Sequence, residues 1–188
     1  MKRKWSFFVF LTLILCLFCV GGYFVMEQSC IGSHPIDDLE ELLIEKNDLP
    51  PGWTFEYKIP ITGEFDFGEK NVMIAYSRKS ETGFARQYLY QFKNSVAASF
   101  SYNLLKKRLP LVQNNQENFA DYESQIANAW YMACEYSTTD FLICDIFSRY
   151  ENFIVYFSIS TKTDQLTPEQ LYKILLSIDS RMERLLGG

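Results

Sequence analysis

The chain has 188 residues, a formal net charge of −5, and an aromatic content of 16% built from 16 Phe, 12 Tyr and 3 Trp. An acidic balance excludes the basic footprint that nucleic acid requires. A single histidine, His34, leaves no imidazole to spare for Ser-His-Asp, Cys-His or His-based metal chemistry.

Lys2, Arg3 and Lys4 precede an uncharged apolar run from Trp5 to Met26. As a helix that run spans about 33 Å, enough for a hydrocarbon core of about 30 Å. Cations before the run and none just after it keep the N-terminus cytoplasmic. The expected organisation is therefore a transmembrane signal-anchor over residues 1–26, a short tether over 27–35, and an extracytoplasmic domain over 36–188. The membrane is thus the first expected partner, through residues 5–26. A cleaved secretory signal with a small-residue site at Val20-Gly21-Gly22 is the alternative, which would release the domain near Gly22. Tyr23-Phe24-Val25-Met26 prolongs the apolar run beyond that site and favours the anchor. Cys16 and Cys19 lie within the run, as small lipid-compatible side chains or as acylation sites.

The 162 residues after Met26 fit one domain. All 23 acidic residues but only 15 of the 18 basic ones follow Met26, which leaves that part at −8. Such a charge argues against lying flat on an anionic lipid surface. Ile36 to Lys46 reads as a helix, with Leu39, Leu42 and Leu43 on one face, stopped by Leu49-Pro50-Pro51-Gly52. Trp53–Ile59, Val72–Ser77 and Phe84–Phe92 read as strands, the last two joined by a polar turn ending in Gly83. Ser95–Leu109 reads as a helix with Val96, Phe100 and Leu104 spaced by four, ended by Pro110. Leu111–Ser124 is polar and reads as a long surface loop. Three more strands follow, Ile126–Tyr136, Phe141–Ser148 and Phe153–Ser160. The closing helix opens on Thr167, Pro168 and Gln170, a capping box with proline in the first turn. Leu171, Ile174, Leu175, Ile178, Met182 and Leu185 form its apolar stripe.

The fold class expected is α+β: an antiparallel sheet of about six strands with helices packed on it, in the order α-βββ-α-βββ-α. With the hairpin loop at Thr138–Asp140, Cys134 falls directly opposite Cys144. In an oxidising compartment a disulfide between them is expected; two buried free thiols are the alternative. Cys30 is left over beside the membrane. No phosphate loop, dinucleotide fingerprint or paired Cys-x-x-Cys follows the apolar run. Cofactors are accordingly expected to be none. Glu135, Asp140, Asp145 and Glu151 are the acids that a carboxylate-dependent hydrolase would have to bring together.

Leu49-Pro50-Pro51-Gly52-Trp53, the Cys134–Cys144 hairpin followed by Arg149-Tyr150 and the aromatic strand Phe153–Phe157, and the helix opening Leu166-Thr167-Pro168-Glu169-Gln170-Leu171 together resemble small exported or membrane-anchored bacterial domains with a PsbP-like α/β sandwich. The resemblance covers roughly residues 48–186, implies a non-catalytic role and transfers no site residues. The expected function is a membrane-anchored extracytoplasmic binding domain, not an enzyme, whose partner is an unknown protein or small ligand at the outer face. Its contact surface is expected at the Leu111–Ser124 loop or the rim around Asp140. The alternatives are the hydrolase and an accessory subunit of an envelope complex.

Overall fold

The structure, a computed structural model, describes residues 38–61, 68–78, 83–108, 122–136 and 140–187. The expected span Trp5–Met26 and its flanking Lys2, Arg3 and Lys4 lie outside them. No helix of the described residues is long and apolar enough to cross a membrane.

Six strands form one antiparallel sheet: β1 (Trp53–Pro60), β2 (Lys70–Arg78), β3 (Gly83–Gln91), β4 (Ala129–Tyr136), β5 (Phe141–Tyr150) and β6 (Phe153–Lys162). Their spatial order is β1-β2-β3-β6-β5-β4, so two three-strand meanders meet along β3 and β6. Alternation of side chains assigns the faces. On the first face Val72, Ile74 and Tyr76 of β2 join Leu142, Cys144 and Ile146 of β5 and Val155, Phe157 and Ile159 of β6. On the second, Tyr90, Phe147 and Ile154 gather with residues of a helix.

That helix, α1 (Ser95–Arg108), starts where the Asn94 side chain accepts the Ala97 N–H at 2.8 Å. It buries Ala98, Tyr102 and Leu105 against β5 and β6. The expected Val96–Phe100 face is the one turned to solvent: Phe100 is 72% exposed. The reason is steric. Small Ala98 permits close approach to the sheet, and the Tyr102 ring stacks on Phe147 with centroids 4.8 Å apart. The second helix, α2 (Pro168–Leu186), covers the first face with Leu171, Ile174, Leu175, Ile178 and Met182. Its capping box is formed, with Gln170 N–H donating to Thr167 Oγ1 at 3.3 Å and Thr167 N–H donating to Gln170 Oε1 at 2.9 Å. The two helices thus lie on opposite faces. A two-fold axis through the sheet would place both on one face, so the meanders are not a symmetric repeat.

The helix expected over Ile36–Lys46 is replaced by two short 3₁₀ turns, Leu39–Leu42 and Lys46–Asp48. Leu42, Leu43 and Ile44 are all buried. Three successive apolar residues cannot all face the core from a surface α-helix, whereas a 3₁₀ turn followed by extended chain can bury each one. Their backbone groups then need partners outside the segment. Buried Gln87 of β3 supplies them: Ile44 N–H donates to Gln87 Oε1 at 2.6 Å, and Gln87 Nε2 donates to the Leu42 carbonyl at 3.4 Å. Tyr76 O–H donates to the Ile44 carbonyl at 2.9 Å. Pro51-Gly52 turns the chain into β1 with Gly52 at φ 99°, a left-handed conformation suited to glycine.

Replacing Gln87 with Leu leaves the buried groups of Leu42 and Ile44 without partners. The variant should lose about 2–4 kcal/mol in denaturant unfolding, with accelerated amide exchange confined to residues 38–49. A loss below about 1 kcal/mol would show that the clamp contributes little.

Candidate functional site

The two cysteines singled out by spacing are register partners on neighbouring strands, β4 and β5. Their sulfurs stand 2.08 Å apart and their Cα atoms 4.1 Å apart, which is a disulfide on the first face beneath α2. Cys30 and His34 lie outside the described residues, as does most of the Leu111–Ser124 loop. Asp140 is exposed at the β4–β5 turn with φ 60°, and its carbonyl accepts the Thr163 N–H at 3.0 Å.

The four acids considered for hydrolysis do not come together. Asp140 and Glu151 flank the two ends of the ten-residue β5, roughly 33 Å apart along the strand. Glu135 and Asp145 do share the second face as diagonal neighbours. Asp145, however, is buried and accepts a hydrogen bond from Tyr156 O–H at 2.9 Å. Among the described residues no group of three or more His, Cys, Asp or Glu side chains could hold a metal ion.

What the sheet does assemble is a ledge on its second face, beside the strands that α1 covers. Arg86 stands opposite Ser158, and Ser158 stands opposite Asp145, so a cation, a hydroxyl and an acid cross β3, β6 and β5 in one row. Ala75 and Ala133 continue the row on either side with minimal side chains. In the next row Tyr88 stacks on Tyr156 with centroids 5.3 Å apart. The Arg86 guanidinium lies 4.7 Å from the centre of the Phe84 ring and forms no ion pair among the described residues. Phe84, Arg86, Tyr88 and Tyr156 are all half-buried, so the ledge meets solvent. Burial, reinforced by the Asp145 carboxylate, raises the Tyr156 phenol above its ordinary range and keeps it a hydrogen-bond donor.

A second buried acid was not anticipated. Asp179 on α2 accepts from Tyr122 and Tyr150 hydroxyls, each at 2.6 Å. Its place within the apolar stripe of the last helix was the available signal. An open groove of ≈ 460 Å³ is lined by Asp38, Glu45, Arg181 and Arg184 among others. Within it Arg181 is already engaged, bonded to Asp48 at 2.7 Å and to Glu45 at 3.4 Å.

No family model matches the chain, and no curated protein matches it. The chain is similar in fold to the crystal structure of the extracellular domain of PknH from Mycobacterium tuberculosis. The TM-score is 0.53 at 10% sequence identity, over 81% of this chain and the whole of that one. At that identity the likeness concerns the fold alone.

Two outcomes follow from these contacts. Alkylation under non-reducing conditions followed by mass spectrometry should leave Cys134 and Cys144 unmodified, and replacing both with Ser should cost about 2.5–3 kcal/mol for a loop of this length. Burial raises the Tyr76 and Tyr102 phenols to about 12, while nearby Asp48 and Glu45 add to the rise at Tyr76. A phenol with a raised folded-state pKa stabilises the fold fully below its unfolded value near 10 and loses that contribution as pH climbs through the folded value. Stability should hold to about pH 9.5 and fall between pH 10 and about 12, less steeply when Tyr76 and Tyr102 are replaced with Phe. A flat profile to pH 12 would contradict the assignment.

Proposed function

We propose that this chain is a single-pass, N-in anchored protein that displays one non-catalytic α+β binding domain on the far side of the membrane. The three-cation, uncharged-run pattern at residues 2–26 supports the anchor and its direction. A Cys134–Cys144 disulfide fits an oxidising compartment. The fold shared with an extracellular domain, and the resemblance to small exported PsbP-like sandwiches, fit the same address. The acids that hydrolysis would need are dispersed or engaged, which supports a binding role over an enzymatic one.

The observation that carries the binding role is Arg86. In a domain with seven more acidic than basic residues, it is a half-buried cation held over a ring, without a carboxylate partner among the described residues. A guanidinium in that setting suits a carboxylate or phosphate group of a partner, flanked by the Tyr88–Tyr156 stack for its planar or apolar portion. Asp145 and Ser158, both buried, hold the Tyr156 hydroxyl and so position the stack beside Arg86.

The address is tested with a carboxy-terminal tag. Protease added outside intact cells should remove it; digestion only after lysis would overturn the topology. Binding is tested on the full chain in lipid nanodiscs by titrating inorganic phosphate and a short glutamate-rich peptide while recording amide spectra. Shifts should centre on residues 84–88 and 156–158, vanish with Arg86→Ala and survive Arg184→Ala. Shifts indifferent to Arg86→Ala would remove the ledge as the binding surface.

A further inference from the structure

We propose that the outer edge of the sheet, strand β1, rests against the interfacial layer of the bilayer in which the chain is anchored; this rests on reading residues 5–26 as an uncleaved anchor. Phe55, Tyr57 and Ile59 are 53%, 40% and 44% exposed, a concentration of large apolar side chains on one strand. β1 is an end strand: among the described residues its only strand partner is β2.

Exposed apolar edges ordinarily invite another strand, but this one is built against it. A register shift between Phe55 and Tyr57 interrupts the regular spacing of outward N–H and C=O groups. Pro60 closes the strand without a donor, and charged Glu56 and Lys58 are interspersed. These devices block a backbone ladder and leave the apolar side chains uncovered. A lipid interface needs no ladder. It accepts aromatic and aliphatic side chains at headgroup depth, where water and headgroups satisfy open backbone groups.

The path of the chain points the same way. Eleven residues, 27–37, separate Met26 from Asp38, so the join reaches at most about 39 Å. The domain receives that join beside β1. Asp38 caps the turn Leu39–Leu42, and Glu40 of that turn pairs with Lys58 of β1. Leu39 and Glu40 line a groove of ≈ 350 Å³ together with Ile59 and Pro60. The register shift sets Phe55 on the first face and Tyr57 and Ile59 on the second, so apolar side chains flank the edge on both sides. Held at the end of a short tether, such an edge meets the membrane at high effective concentration, and even a weak intrinsic contact is populated. Lys58 is already committed to Glu40 and the residues after Met26 carry a net −8, so the contact rests on apolar burial and not on attraction to anionic headgroups.

The test uses the full chain in nanodiscs doped with a gadolinium-chelating headgroup lipid. Amides of residues 55–59 should broaden at least threefold more than those of residues 98–105 in α1, which packs over β5 and β6. The ratio should be the same in zwitterionic discs and in discs with one-quarter anionic lipid. Replacing Phe55, Tyr57 and Ile59 with Ser, all at exposed positions, should bring it towards one while leaving the amide spectrum of β3 to β6 in place. Equal broadening of β1 and α1 in the wild-type chain would overturn the proposal. So would a triple variant that broadens like wild type, or protection of β1 that rises with protein concentration, the mark of a second copy on the edge. A chain that fails to enter discs at all would instead remove the anchor itself, and the proposal with it.

Discussion

The arrangement of the first sheet face depends on one buried amide. Gln87 sits in the middle of β3 with no exposure, and its side chain takes the N–H of Ile44 and offers its own N–H to Leu42. Residues 39–49 have no ladder or long helix of their own, so every inward backbone group must find a partner elsewhere or remain costly in the core. Gln87 and Tyr76 provide those partners, which frees Leu42, Leu43 and Ile44 to bury their side chains together. The segment therefore acts as a strap across β2 and β3, covering sheet that α2 does not reach alone. Asp48 completes the strap by accepting from Ser177 at 2.7 Å and from Arg181 at 2.7 Å on α2.

A second polar node binds the same stretch of α2, through Asp179 between Ser177 and Arg181. A carboxylate at 9% exposure is expensive unless its oxygens are occupied, and both oxygens of Asp179 are, by the hydroxyls of Tyr122 and Tyr150. Three chain segments distant in sequence thus converge on one side chain. Tyr122 further packs its ring against Trp130 and Tyr172, at 5.1 and 4.8 Å between centroids. The phenols respond to this burial by holding their protons well above their usual range, so the node stays a pair of donors around one acceptor throughout ordinary pH. Two polar clamps and a disulfide consequently fix helix, strap and sheet.

Much of this was legible in the chain itself, and the exceptions share a cause. Strands β1 to β6 fall where alternation and turn residues place them, because antiparallel pairing is a local matter read from period and punctuation. The Cys134–Cys144 opposition followed from hairpin arithmetic for the same reason. The final helix was legible because cap and stripe agree. The amino-terminal helix was misread because Leu39, Leu42 and Leu43 satisfy a helical period, while the burial of Ile44 beside them does not. α1 is apolar on two faces, and periodicity cannot say which of Val96–Phe100 or Ala98–Tyr102 meets the sheet; that depends on the shape of Phe147 beneath. The ledge was not legible: the meeting of Arg86, Ser158 and Asp145 requires the β3–β6–β5 order, which no local pattern encodes.

The two halves of the sheet are consequently unlike in what they offer. A disulfide ties β4 to β5, and β5 and β6 are buried under α2 on one face and under α1 on the other. β1, β2 and β3 are closed on one face only by the strap, and their second face carries the half-exposed Phe84, Arg86 and Tyr88 down to an apolar edge. Cohesion and accessibility are thereby separated within a single sheet. The ledge runs from β3 onto β6 and β5, so it spans both meanders, and the strap beside β2 and β3 is the described segment nearest in sequence to the amino-terminal apolar run. Contact at the ledge or the edge would therefore bear most directly on the strap, through Gln87 at the centre of β3 and Lys58 at the rim.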